Sequence, residues 1–353
     1  MAERTRSKEI KDFIISNVGK HGESIALLTA GKFGISRQGV NKHLRQLVKD
    51  GILSESGSTR AKTFSLAQKI LLEKEYTIDQ QLSEDRVYSQ DILPVLKELE
   101  TKRAVEQRIY YCFTEIFNNA IDHSDGSIIH VHLSYDARSI EILIDDDGIG
   151  IFHKIKKSFH LAEENEAILE LSKGKLTTSP KNHSGQGIFF SSRISDMMWI
   201  RSHQLRFAAV ETFDLQTEET EFVVGTDVYM RFEQTSERTS KEVFDKYSSQ
   251  DDDYGFTITH IPVRLAVVGE ENLVSRSQAR RLLTGLDKFK EVALNFEGVE
   301  MIGQAFADQI FRVFANAHPD IFLYHLNANE EVTKMINRAL YDKRQSENSE
   351  LRS

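Results

Sequence analysis

A single cysteine, Cys112, stands among 353 residues, which excludes a disulfide framework and a cysteine-rich metal site. No stretch approaches the roughly 18 consecutive apolar residues of a membrane helix. The opening MAERTRSKEIKDF is polar and lacks the apolar core of a signal peptide. No membrane is therefore expected as a partner, and a reducing, cytoplasmic setting is expected. No GxxxxGK[ST] loop occurs, so a P-loop ATPase is not supported. Internal repeats and low-complexity segments are also lacking.

What is present is an ordinary globular composition, 40% hydrophobic and 28% charged, long enough for two or three domains of about 100–200 residues each. The net charge of −9 hides an asymmetry. Residues 1–66 carry 12 Lys/Arg against 6 Asp/Glu, whereas the other 287 carry 33 against 48. A small basic module on an acidic body implies that the module meets a polyanion.

Within that module, residues 7–18 place Ile10, Phe13, Ile14 and Val18 on one helical face. A short second helix carrying Ile25, Leu27 and Leu28 follows. Ser36 is a natural N-cap for a third helix, whose stripe Val40, Leu44, Leu47 and Val48 is expected to be buried. Its other face presents Arg37, Gln38, Asn41, Lys42 and Arg45, side chains able to bond base edges and phosphates. Two short strands around Gly57 bring Arg60 and Lys62 near a hairpin tip. The pattern over residues 5–66 resembles a winged helix-turn-helix domain, which implies double-stranded DNA as a partner.

A charged, mostly helical connector is expected over residues 67–105. Residues 106–124 then read as a strong helix with Ile109, Cys112, Phe113, Ile116, Ala120 and Ile121 on its apolar face. Glu115 and Asn119, four apart, share a second face; a carboxylate and a carboxamide one turn apart could serve a hydrated metal and a water nucleophile. Two alternating segments, IIHVHLSYD and SIEILIDDDG, read as a hairpin that runs into Asp146, Gly148 and Gly150. A carboxylate at a strand end, followed by spaced glycines, lets backbone approach a flat ligand closely. After about 30 residues suited to a mobile lid, HSGQGIFF places Gly185, Gln186 and Gly187 at the start of a helix expected to run from Ile188 to Met197. Backbone N–H groups at such a terminus suit phosphate oxygens.

The order ExxxNA helix, DxGxG after a strand, GxG opening a helix, then a strand GTDVYMRF starting at Gly225-Thr226, resembles the ATPase/kinase superfamily of gyrase, the heat-shock chaperones, histidine kinases and MutL. The likeness covers about residues 86–233. It implies ATP and Mg2+ as cofactors. By that resemblance Asn119 would coordinate Mg2+ and Glu115 would position or deprotonate the nucleophile. Asp146 would accept the adenine amino group. Gly148 and Gly150 would line the base pocket, and Gly185 and Gly187 would face the phosphates. Gln186 and Thr226 join the nucleotide-binding set, with Lys173, Lys175 and Thr177 as lid candidates. One departure is Phe189, where many members have a third glycine, so a shorter or differently shaped phosphate loop is expected. A histidine kinase is close to excluded, because no histidine occurs between His43 and His123 to accept a phosphoryl group.

The acidic run at 251–253 marks a boundary. Beyond it strands and helices alternate, which implies an α/β unit. EVALNFEGVEMIGQAFADQIFRVF resembles STAS-type modules (sulfate transporter and anti-sigma-factor antagonist). Antagonists of that type carry a phosphorylatable Ser or Thr after this strand, but residues 295–311 contain neither, and Gly303 and Gln304 occupy the loop.

The expected fold class is thus α+β multidomain: a winged helix over 1–66, the connector, a Bergerat-type α/β sandwich over 106–240 that could start near 86, and a small STAS-like α/β unit over 254–345. The leading functional expectation is an ATP-binding, DNA-binding transcriptional regulator switched by nucleotide. A serine/threonine kinase of the anti-sigma-factor type or ATPase acting on another protein, and a nucleotide-stabilised scaffold, stay open, as do a protein partner and a homodimer.

Overall fold

The computed structural model describes residues 2–58, 62–176, 185–210, 213–248, 256–267 and 272–350. Three helices open the chain: α1 (Ala2–His21), α2 (Ile25–Phe33) and α3 (Arg37–Lys49). The antiparallel hairpin β1 (Leu53–Ser56) and β2 (Thr63–Leu66) follows. Helical spacing gathers Ile10, Ile14 and Val18 of α1 against Ile25, Val40, Leu44 and Leu47, and the hairpin closes this core with Leu53 and Phe64. Ser36 caps α3, accepting the Gly39 N–H at 3.2 Å. On α2, Ile25 and Thr29 are buried, whereas Leu27 and Leu28 are exposed. Val48 is only half-buried.

The connector is not mostly helical. Its first part is β3 (Lys69–Thr77), which pairs antiparallel with β4 (Ile128–Tyr135) as an edge strand. Two short helices, α4 (Glu84–Val87) and α5 (Leu93–Glu98), joined by a π-helical turn, then lead through a loop into α6 (Arg103–His123). After β4 come β5 (Ser139–Asp146), α7 (Ile151–Phe159), α8 (Asn165–Lys173), α9 (Gly187–Ile194), β6 (Met197–Val210), β7 (Phe213–Glu233) and α10 (Ser240–Lys246). α9 ends at Ile194, short of the expected Met197, which instead starts β6.

The five strands form one sheet in the order β3-β4-β5-β7-β6, with antiparallel neighbours throughout. Period-2 alternation turns Ile140, Ile142, Ile144 and Asp146 of β5 to one face, beside Val228, Met230 and Phe232 of β7. α6 covers that face with Ile109, Cys112, Phe113, Ile116 and Ala120. Asp146 is thus the last residue of an apolar column, placed under the helices by strand register. It lies opposite Thr226.

The C-terminal unit comprises β8 (Ile258–Pro262), α11 (Arg276–Leu283), β9 (Glu291–Asn295), α12 (Gln304–Asp308), α13 (Ala315–Ala317), β10 (Phe322–Leu326) and α14 (Glu330–Glu350). Its sheet is parallel, in the order β10-β9-β8. Central β9 buries Val292, Ala293 and Leu294 in succession, as a strand covered on both faces must. The boundary expected at 251–253 lies outside the described residues. Around it, the five-stranded domain and the C-terminal unit share one continuous apolar core, while the N-terminal core is separate.

One buried charge fastens α6 to the turn between α9 and β6. The Arg108 guanidinium, fully enclosed, donates to the Ile194 carbonyl at 2.6 and 2.8 Å and pairs with Asp196 at 2.7 Å. Asp196→Ala leaves that cation without its counter-charge. It is expected to lower the unfolding free energy by about 3–5 kcal/mol, read as a fall in the urea midpoint.

Candidate functional site

A cavity of about 440 Å³ opens between α6 and the ends of β5 and β7, and α7, α8 and α9 contribute to its wall. That volume lies within the range of small-molecule sites. α6 supplies Glu115 and Asn119, half-buried and one turn apart, with Asn118 beside them. β5 and β7 supply Ile144, Asp146, Thr226 and Val228. Ile151 and Ile155 of α7, Leu171 of α8 and Leu176 give the cavity an apolar side.

The three consecutive aspartates do three different things, because strand alternation and the turn separate them. Asp145 faces the open side of the sheet and meets His130 at 3.0 Å. Asp147 clasps the start of β4, accepting the Ser127 and Ile128 N–H groups at 2.6 and 2.9 Å, and these bonds hold its carboxyl below the usual range. Asp146 alone enters the cavity. It is 8% exposed, and burial pushes its pKa up to about 6, although the Gly148 and Thr226 backbone N–H groups bond to it and oppose the rise.

Gly148 and Gly150 lie behind the cavity wall rather than on it. A Cβ on Gly148 would run into the Ser124 carbonyl, whose oxygen accepts the Ile149 N–H at 2.9 Å. Gly150 has φ +85°, and a Cβ there would crowd Ser202 and His203. The turn therefore passes between α6 and β6 only as glycine. The Thr226 hydroxyl accepts the Ile151 N–H at 3.0 Å, which satisfies the first turn of α7.

Gly185 and Gly187 both line the cavity. Gln186 occupies the N-cap position of α9. Gly187 packs directly on the Glu115 carboxylate, so an added Cβ would overlap Glu115 Oε2. The Gly185 carbonyl accepts the Leu176 N–H at 3.1 Å, which brings together the two ends of residues 177–184. Those residues, Thr177 included, lie outside the described ones.

Lys175 is not brought to the cavity. Its ammonium donates to the Lys288 carbonyl at 2.8 Å and sits over the Phe289 ring at 4.7 Å; burial, then the Lys288 charge, lowers its pKa. Lys173 also turns to the C-terminal unit, bonding the Arg281 and Thr284 carbonyls at 3.0 Å and Glu170 at 2.6 Å. The cation that does line the cavity is Lys154, paired with Asp125 at 2.9 Å. It follows Gly150 by four residues, a spacing that could have drawn attention to it.

Phe189 lines the cavity beside Gly187 and Ile188. It lies in the first turns of α9, and its ring packs on Phe256 at 4.7 Å and on Tyr247 and Phe190 at 5.1 and 5.3 Å. In the N-terminal module, Arg37, Gln38, Lys42 and Arg45 are exposed on α3, and Asn41 is half-exposed. Lys62 pairs with Glu55 across the hairpin at 2.9 Å, and Arg60 lies outside the described residues.

The domain is thus a sheet with helices packed on it, and a cavity opens beside Asp146 and the glycine start of α9. Residues 104–236 match the family described as histidine kinase-, DNA gyrase B-, and HSP90-like ATPase. Residues 278–333 match the STAS-like domain of unknown function (DUF4325). No curated protein matches the chain significantly. The ATPase-family match supports ATP binding, which in this family generally comes with Mg2+. The cavity fits such a ligand: an enclosed acceptor at Asp146, apolar sides, and the backbone of Gly185 and Gly187 in its wall.

Gly187→Ala is expected to push the Glu115 carboxylate aside at a stability cost of no more than about 1 kcal/mol, the cost of an off-rotamer side chain. Glu115→Ala in the same chain should recover most of that loss, because it removes the obstructing oxygen. Thermal melts of the two single variants and the double variant check the coupling.

Proposed function

We propose that this chain is a nucleotide-operated regulator that binds double-stranded DNA. ATP with Mg2+ occupies the cavity, occupancy is passed to the C-terminal unit through α8, and the N-terminal module reads DNA as a winged helix. The observation that carries this reading is the double commitment of α8 and its C-terminal extension. Leu171 and Leu176 line the cavity, and Lys173 and Lys175 between them are bonded to the C-terminal unit.

In this reading Asp146 accepts the adenine amino group, and Gly148 and Gly150 shape the turn behind the base. Asn119 would supply an oxygen to Mg2+, whose charge would offset that of the phosphates. Glu115 holds or deprotonates the attacking water. Gly185, Gln186 and Gly187 offer backbone N–H groups to phosphate, and Thr226 keeps α7 in place. Arg37, Gln38, Asn41, Lys42 and Arg45 form the face for the major groove, with Arg60 and Lys62 contributed by the hairpin. The surplus of positive charge in residues 1–66 supports a polyanionic partner.

A ligand moves an equilibrium only by preferring one state. ATP is expected to change the affinity for duplex DNA by roughly tenfold, within the usual span of coupled sites. Phe256→Ala should abolish that change while nucleotide binding persists. Fluorescence anisotropy with and without ATP measures both. Identical affinities in the wild type, or no duplex binding even at low salt, would reject the switch.

A second expectation concerns pH. With Asp146 at a pKa of about 6, the empty cavity holds a largely neutral acid at pH 5 and a carboxylate at pH 7. An amino donor bonds the carboxylate more strongly. Nucleotide affinity should therefore rise from pH 5 to pH 7 and level off above it. Asp146→Asn should bind weakly and lose its part of the slope, measured with a fluorescent nucleotide across that range.

A further inference from the structure

We propose that His153, Glu164 and His203 form a binding site for one divalent transition-metal ion, with Zn2+ the first candidate. The three residues come from α7, from the segment before α8 and from β6, and they converge beside the nucleotide cavity rather than inside it. The imidazole Nδ1 atoms of His153 and His203 lie 2.9 and 3.0 Å from the two oxygens of Glu164. One possible ligand atom from each residue lies within 4.8 Å of the others, and this is the group of that kind among the described residues. Ligand atoms at about 2.0–2.2 Å from a tetrahedral ion stand roughly 3–3.5 Å apart, so small side-chain shifts would admit the ion.

An ordinary cluster of hydrogen bonds would not need the backbone that delivers His203. This residue has φ +54°, in the left-handed region that non-glycine residues seldom adopt. The β6–β7 register shifts on both sides of it, between Arg201 and His203 and again between His203 and Leu205. Such irregularities re-aim a side chain, and here they turn the ring to Glu164. The ring plane is fixed by Phe222, stacked at 5.0 Å and 15°. Strain of this kind collects at functional sites.

The chemistry of the set selects the ion. Two imidazoles and one carboxylate suit Zn2+ and its neighbours rather than Mg2+ or Ca2+, which prefer all-oxygen shells. All three side chains keep some exposure, from 22% to 46%, which leaves a route for the ion and a coordination position for water. The other histidine–carboxylate group, His130 and His132 with Glu73, Glu75 and Asp145, lies on the open sheet face with contacts out to 3.9 Å. An ion at His153, Glu164 and His203 would tie α7 and the start of α8 to β6, directly behind Gly150.

The test uses full-length protein stripped with a chelator and then titrated with Zn2+ by calorimetry, without nucleotide, so the result does not depend on what fills the cavity. Co2+ absorption in the visible range reports the ligand geometry. The wild type should bind one equivalent at this site. Glu164→Gln and His203→Ala should lose it or weaken it by at least the roughly 10–100-fold seen for supporting residues of metal sites. His132→Ala should leave it intact, and circular dichroism checks that each variant is folded. No saturable binding of either ion would overturn the proposal. So would binding that survives Glu164→Gln and His203→Ala, or binding that disappears instead in His130→Ala.

Discussion

The ammonium of Lys173 is buried where α8 meets the C-terminal unit, and its solvation must come from protein. Glu170 and the carbonyls of Arg281 and Thr284 provide it. Burial nevertheless lowers the Lys173 pKa, with the nearby Glu170 charge opposing that shift. The Thr259 hydroxyl donates to the Lys173 carbonyl at 2.7 Å, and Arg281 reaches back to Glu166 at 3.0 Å. Polar groups removed from water must be paired. This set of bonds therefore makes the joint specific in a way that apolar packing alone would not. The continuous core across the joint supplies the burial, and the charges fix its register.

The aromatic cluster next to the joint explains the departure at Phe189. A third glycine would have left α9 free to wrap a ligand. A phenylalanine there instead offers a ring to Phe256, and Gly174 allows Phe256 to approach, since a Cβ at Gly174 would fall 2.6 Å from that ring. Phe190, Phe244 and Tyr247 complete the cluster. The residue that breaks the glycine pattern is the one on which the next unit docks.

The features legible in the sequence were those set by local spacing. Glu115 and Asn119 share a face because four residues make about one turn. Asp146 points inward because strands alternate, and Ser36 caps α3 because a hydroxyl at that position meets an N–H three residues on. The features that could not be read were those set by partners far along the chain. β3 looked helical because KILLEKEYT mixes charge with aliphatic residues; its pairing with β4 decides the matter. Lys173 and Lys175 looked like lid residues, but the carbonyls that hold them lie more than 100 residues away. His153, Glu164 and His203 have no motif spacing at all, and only the distortion of β6 brings them together.

These constraints limit how a ligand in the cavity could act on the rest of the molecule. It would press on Leu171 and Leu176, which flank the two lysines. If that segment moved alone, Lys173 would leave its carbonyl oxygens and remain a buried, poorly solvated cation, at a cost of several kcal/mol. If the C-terminal unit moved with it, the bonds would survive and only looser contacts elsewhere would have to change. The second course costs less, so any displacement of the cavity cover would carry the C-terminal unit with it. The N-terminal module has a separate core, and a link from it to the five-stranded domain is the surface bond from Arg138 to the Ser16 carbonyl at 3.0 Å. A bond of that exposed kind yields readily, which leaves the module able to change its position without loss of its own fold.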